Sequence, residues 1–98
     1  MKYELNQERI EKIAQPLSEL QGVVNYLAFA GHPHLSSTIT LRRLSLDLYC
    51  DNFAEMYACL QVTKHYMKSN WKRSIYKGFV PDQGRYYCIC YNYWPELG

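Results

Sequence analysis

The residues best suited to do chemistry lie between Lys64 and Trp94. Residues 64–85 hold Lys64, Lys68, Lys72, Arg73, Lys77 and Arg85 against a single acid, Asp82. Aromatic residues are threaded among them: Tyr66, Trp71, Tyr76 and Phe79, then Tyr86 and Tyr87. Cations neutralise phosphates while rings stack on bases, so the pattern suits a nucleic acid. It equally suits an acidic protein surface, because Tyr, Trp and Arg dominate the energetics of protein contacts. A third reading gives the cations no partner and lets them solvate an exposed helix and hairpin. A net charge of only +2 over 98 residues weighs against a dedicated nucleic-acid binder, which is usually more basic throughout.

The run Arg85-Tyr86-Tyr87-Cys88-Ile89-Cys90-Tyr91-Asn92-Tyr93-Trp94 reads as a strand. Side chains alternate along a strand, so Tyr86, Cys88, Cys90, Asn92 and Trp94 share one side and Tyr87, Ile89, Tyr91 and Tyr93 the other. Both sides are aromatic or apolar, whereas a strand covered on one side shows a polar outer face. Either both sides are covered, or one is an aromatic surface awaiting a partner. An exposed tyrosine face would bind protein as a paratope does, with large rigid contacts. The candidate partner-binding set is therefore Lys64, Lys68, Trp71, Lys72, Arg73, Tyr76, Lys77, Arg85, Tyr87, Tyr91 and Tyr93.

Catalytic signatures are absent from the sequence. The histidines are His32, His34 and His65, and no Ser or Cys stands in a nucleophile motif. The five glycines are scattered and form no phosphate-cradling loop. His65, between Lys64 and Tyr66, is the one candidate general base, for RNA cleavage. Zinc sites show Cys-x2-4-Cys or His-x3-5-His spacings. Cys88-x-Cys90 and His32-Pro33-His34 do not match them, and Cys50 and Cys59 flank a helix-like segment. No metal and no cofactor is expected, and the cysteines read as small buried hydrophobes.

These groups need elements to hold them. Ile10, Ile13, Leu17, Leu20, Val24 and Leu27 recur at alternating steps of three and four, the stripe of an amphipathic helix. Asn6 is a suitable N-cap, Glu8 suits the positive helix end, and Gly31 a C-cap. Pro16 removes one backbone donor, and the stripe keeps its phase across it, so a kink is expected there. The same stripe could be the seam of a homodimer. Residues 36–50 fit either element. Leu44, Leu46 and Leu48 alternate as a strand, whereas Leu41, Leu44 and Leu48 fit a helix. The strand loses phase at Arg42-Arg43, and a turn there lacks Gly, Asn or Asp, which favours helix.

Asp51 or Asn52 caps a further helix, with Phe53, Met56, Tyr57, Leu60 and Met67 on one face and Ser69-Asn70 at its end. Beyond Trp71 the character is β, and Pro81-Asp82-Gln83-Gly84 reads as a turn between two strands. A hairpin alone is marginal in water and should pack on the helices.

Together these elements predict an α+β fold in one domain over 1–98. It comprises a kinked N-terminal helix and loop over 1–35, helix over 36–70 and a β-hairpin over 71–94, three helices in all. The 48% hydrophobic content can fill a core, and no apolar run approaches the roughly 18 residues that span a bilayer. The N-terminus lacks a secretory signal, so a cytoplasmic location with reduced cysteines is expected. The function expected is non-enzymatic: docking on, and modulating, a larger protein or nucleoprotein complex. The alternatives are a nucleic-acid-binding regulator using the same patch and a homodimeric assembly module. In general character the chain resembles accessory proteins of phages and mobile elements, which implies a host nuclease or defence complex as target.

Overall fold

A computed structural model describes residues 7–32, 34–40, 42–80 and 84–95, with side chains for all of these but 7–10, 79–80 and 84–85. The elements run α1 (Gln7–Phe29), β1 (Leu35–Ile39), β2 (Leu44–Cys50), α2 (Phe53–Tyr66), β3 (Lys72–Val80) and β4 (Gly84–Tyr93). The strands form one antiparallel sheet in the order β1-β2-β4-β3. The class is α+β, but the described residues form two helices and four strands in place of three helices and a hairpin.

The difference lies in residues 36–50, which form β1, a turn and β2. Thr40 makes the turn that the search for Gly, Asn or Asp overlooked. Its Oγ1 accepts from the backbone N–H of Arg43 (2.9 Å) and Arg42 (3.2 Å) and donates to the Arg43 carbonyl (2.9 Å). A threonine hydroxyl thus substitutes for backbone turn geometry. The turn also absorbs the phase slip, because Ile39 pairs directly with Leu44 and the two share a face.

Helix α1 continues through Pro16, which lies inside it and is buried. Ile13, Leu20, Val23 and Leu27 are buried, and Leu17 and Val24 pack against the same core, so the stripe faces its own chain. The helix ends in a Schellman turn: Gly31 has φ +82°, its N–H donates to Ala28, and the His32 N–H donates to Leu27. Positive φ is nearly free for glycine alone, so this residue decides where the chain leaves the helix. The expected N-cap Asn6 and the turn at 81–83 lie outside the described residues.

Helix α2 is capped by Asn52, whose Oδ1 accepts from the Glu55 N–H at 2.8 Å. Its buried residues are Met56, Cys59 and Thr63. Phe53 and Tyr57, expected on one face with Met56 and Leu60, are 62% and 57% exposed. The segment carries apolar residues nearly all round, so periodicity alone could not choose the face.

Helix α1 packs on α2 and β2, and α2 on β2 and β4. The core joins Leu20, Val23 and Leu27 to Leu44, Leu46 and Leu48 of β2 and to Ile89 and Tyr91 of β4. The helices therefore cover the middle of the sheet on one side, while every residue from Lys72 to Lys77 in β3 is exposed. Among the described residues no helix is long and apolar enough to cross a membrane.

Candidate functional site

Strand β3 projects beyond α2 as a shelf. Its register with β4 aligns Arg73 with Tyr91, Ile75 with Ile89 and Lys77 with Tyr87. Directly opposed residues share a face, so Arg73, Ile75 and Lys77 lie on the side that carries the helices. The flank of α2 forms the wall above them. Between shelf and wall runs an open cleft of about 560 Å³, lined by α2 residues including Tyr57 and Lys64 and by Trp71, Arg73 and Tyr91. No Asp or Glu is among its lining residues. The wall continues at exposed Phe53, whose ring meets Tyr87 edge-on at 6.3 Å, and the shelf at Ile75, 41% exposed.

The floor is rigid. Tyr91 is 4% exposed, and its hydroxyl is hydrogen-bonded to Thr63 Oγ1, which donates to the Leu60 carbonyl. Burial raises the Tyr91 phenol above its ordinary value, partly offset by the Thr63 hydrogen bond and the Arg73 guanidinium.

The rear of the cleft is tied to α1 by Glu19. This carboxylate is 5% exposed and accepts four hydrogen bonds: Trp71 Nε1 (2.8 Å), Gln15 Nε2 (2.9 Å), the Ser69 N–H (3.0 Å) and Ser69 Oγ (3.0 Å). Burial alone would raise its pKa. The donors, Trp71 first, outweigh that and hold it below the usual carboxylate value. Trp71 is thereby held against Tyr93, with ring centroids 5.5 Å apart.

The predicted set divides accordingly. Lys64, Trp71, Arg73 and Tyr91 line one cleft, and Lys77 extends its shelf. Tyr91 belongs to the core, so it supports the surface from below and offers no ring to a partner. Tyr87 and Tyr93 also lie on the helix side, half-buried against Phe53 and Trp71. Lys68 is exposed in the segment after α2. Lys72 and Tyr76 point to the opposite face of the sheet, by register with Asn92 and Cys88. Arg85 pairs with Phe79 in the β3–β4 register, and its side chain is outside the described set. His65 lines a separate depression with Tyr26 and Tyr66 and does not join the cations of the cleft.

The opposite face carries the row Tyr49–Cys88–Tyr76 across three strands. The flanking tyrosines are 41% and 58% exposed, and Cys88 is 8% exposed between them. Asp47 and the thiols of Cys88 and Cys90 gather beside that row, with the sulfurs 3.5 Å apart. Burial pushes the Cys88 thiol up, and burial with the Asp47 hydrogen bond pushes Cys90 up to about 12. A second donor group forms on the helix side of the sheet from His32, Cys50 and Cys59. All four cysteines are free.

Sequence reasoning missed Phe53, Tyr57 and Glu19. The two rings read only as part of one helical face with Met56, and nothing local marks Glu19 as a latch reaching Trp71, 52 residues away. Comparison with known proteins adds no further guide, because no family model, no curated protein and no solved structure matches the chain.

Proposed function

We propose that this protein is a non-enzymatic binding module that docks on a larger protein through the cleft between α2 and β3. The modulation of that protein, or of a nucleoprotein complex containing it, follows from the docking. One observation carries the reading. Among the described residues no acid lines the cleft, which has Lys64 on one side, Arg73 on the other and the exposed ring of Tyr57 between them, with exposed Phe53 and Ile75 on the wall and shelf beyond its lining. Apolar rings flanked by cations suit an acidic segment with one or two large apolar side chains. The rings supply contact area, and the cations steer the approach and fix its orientation. The edge strand β3 adds a second attraction, since an extended segment could pair along it.

Nucleic acid is the second reading, supported by Lys72 and Tyr76 on the opposite face of the same strand, where a backbone could be tracked. The apolar rings of the cleft and the modest net charge favour protein. The assembly-module reading is not carried forward, because the stripe it needs lies in the core.

The test is affinity purification of the tagged chain from nuclease-treated lysate. The variant Lys64→Glu/Arg73→Glu/Lys77→Glu is compared with Arg43→Glu, which reverses an exposed charge at the β1–β2 turn, outside the cleft lining. A stoichiometric protein partner should survive nuclease and Arg43→Glu and be lost with the triple variant. Retention by the triple variant, or loss of all bound material on nuclease treatment, would overturn the reading.

A further inference from the structure

Three side chains far apart in sequence converge where α1 ends. The Schellman turn at Gly31 delivers His32, β2 ends at Cys50, and α2 contributes Cys59 from its buried face. Their donor atoms all lie within 4.8 Å of one another. Cys50 and Cys59 are 1% and 3% exposed, and their sulfurs stand 3.7 Å apart. In a tetrahedral zinc site with Zn–S bonds of about 2.3 Å, two thiolates are separated by about 3.8 Å. The sulfur pair therefore already has the length of one edge of such a tetrahedron.

The imidazole supplies the independent observation. His32 Nε2 is buried and has no hydrogen-bond partner among the described residues, although buried ring nitrogens are nearly always satisfied. The other nitrogen, Nδ1, faces Glu55 Oε1 at 3.4 Å. A carboxylate beside Nδ1 favours the tautomer that carries its proton there, in which Nε2 presents a lone pair. That is the arrangement by which metal-binding histidines are oriented. An unused lone pair on a ring that gathers with two thiols suits a soft or borderline cation.

We propose that His32 Nε2, Cys50 Sγ and Cys59 Sγ form a zinc-binding site, with Glu55 positioning the imidazole through Nδ1. Binding releases the thiol protons to solvent and leaves one coordination position for a water or an external ligand. Because the donors come from the end of α1, the end of β2 and the middle of α2, the ion ties both helices to the sheet. It stabilises the fold by mass action.

The full chain, reduced and stripped with chelator, is titrated with Co²⁺ and then with Zn²⁺. One Co²⁺ per chain should bind with a thiolate-to-cobalt charge-transfer band, Zn²⁺ should displace it, and Zn²⁺ should raise the melting temperature. Cys88→Ser/Cys90→Ser, which removes the thiols of the other donor group, should retain the band. His32→Gln should lose or reshape it. Glu55→Gln touches no ligand atom and should weaken Zn²⁺ binding about 10–100-fold, so the proposal stays testable if ligand variants fail to fold. The proposal is overturned if the reduced chain shows no charge-transfer band, if the band vanishes only in Cys88→Ser/Cys90→Ser, or if Glu55→Gln binds as tightly as the parent.

Discussion

Replacing Glu19 by Gln probes the latch that holds the cleft together. Gln keeps Oε1 for Trp71 Nε1 and the Ser69 N–H. An amide takes the place of Oε2, where the Ser69 hydroxyl can turn to accept and the Gln15 amide can rotate. The four hydrogen bonds survive, two of them with residue 19 now donating, but none of them involves a charged group. Hydrogen bonds to charged groups contribute about 1.5–3 kcal/mol each against about 0.5–1.5 for neutral ones. Allowing for the burial cost of the charge that Gln avoids, Glu19→Gln should cost about 1–2 kcal/mol at pH 7. For a domain of this size that is a fall in Tm of roughly 5–15 °C. Glu19→Ala leaves the Trp71 and Ser69 donors without an acceptor and should cost about 3 kcal/mol.

The pH dependence gives the sharper check. Glu19 has a folded pKa below its unfolded value. Its contribution is therefore complete above the unfolded value of 4.5 and is lost as pH falls from there through the folded pKa. Urea unfolding followed by Trp fluorescence and circular dichroism between pH 7 and pH 3 should show the gap between parent and Glu19→Gln closing at the acid end. A gap that stays constant to pH 3, or a Gln variant as stable as the parent at pH 7, would refute the claim that an ionised Glu19 holds Trp71 and Ser69.

Other substitutions test the remaining structure. Thr40→Ala removes the hydroxyl that makes the β1–β2 turn and should cost about 1 kcal/mol, as loss of a helix cap does, in thermal unfolding. Tyr91→Phe should cost about 1 kcal/mol through its lost hydrogen bond while leaving partner affinity unchanged. A large affinity loss with normal stability would show the hydroxyl to be a contact group. At Gly22 a Cβ would stand 2.7 Å from Tyr66 Cδ1, where α1 meets α2. Gly22→Ala should therefore lower stability in chemical denaturation, even though alanine in a helix interior is favoured by about 1 kcal/mol over glycine.

How much of this was legible in the sequence depended on how local the signal was. The α1 stripe from Ile13 to Leu27 repeats one chemical type at helical spacing over four turns, and it packs as its period implies. The alternation in residues 86–94 assigned Tyr87, Ile89, Tyr91 and Tyr93 to one side, and the register with β2 and β3 places them together. It could not say which side the helices would cover, because both sides carry aromatics. Residues 36–50 were misassigned because the turn depends on one threonine hydroxyl, a weaker sequence signal than Gly or Asn. The cleft was half legible. The cations of residues 64–77 stood out by charge, whereas Phe53 and Tyr57 were hidden in a helix with no clear polar face. The convergence of His32, Cys50 and Cys59 has no local spacing and arises only when the chain folds.

The central claim is that the α2–β3 cleft is the contact surface and that its partner is an acidic protein segment. Amide NMR of the labelled chain, titrated in parallel with an acidic peptide carrying aromatic residues and with a single-stranded oligonucleotide, tests both halves at once. The account predicts peptide-induced shifts concentrated at residues 53–64 of α2 and 73–77 of β3, with weaker and salt-sensitive shifts from the oligonucleotide. Shifts centred on Tyr49, Tyr76 and Cys88 of the opposite face, or a response to the oligonucleotide alone, would contradict it.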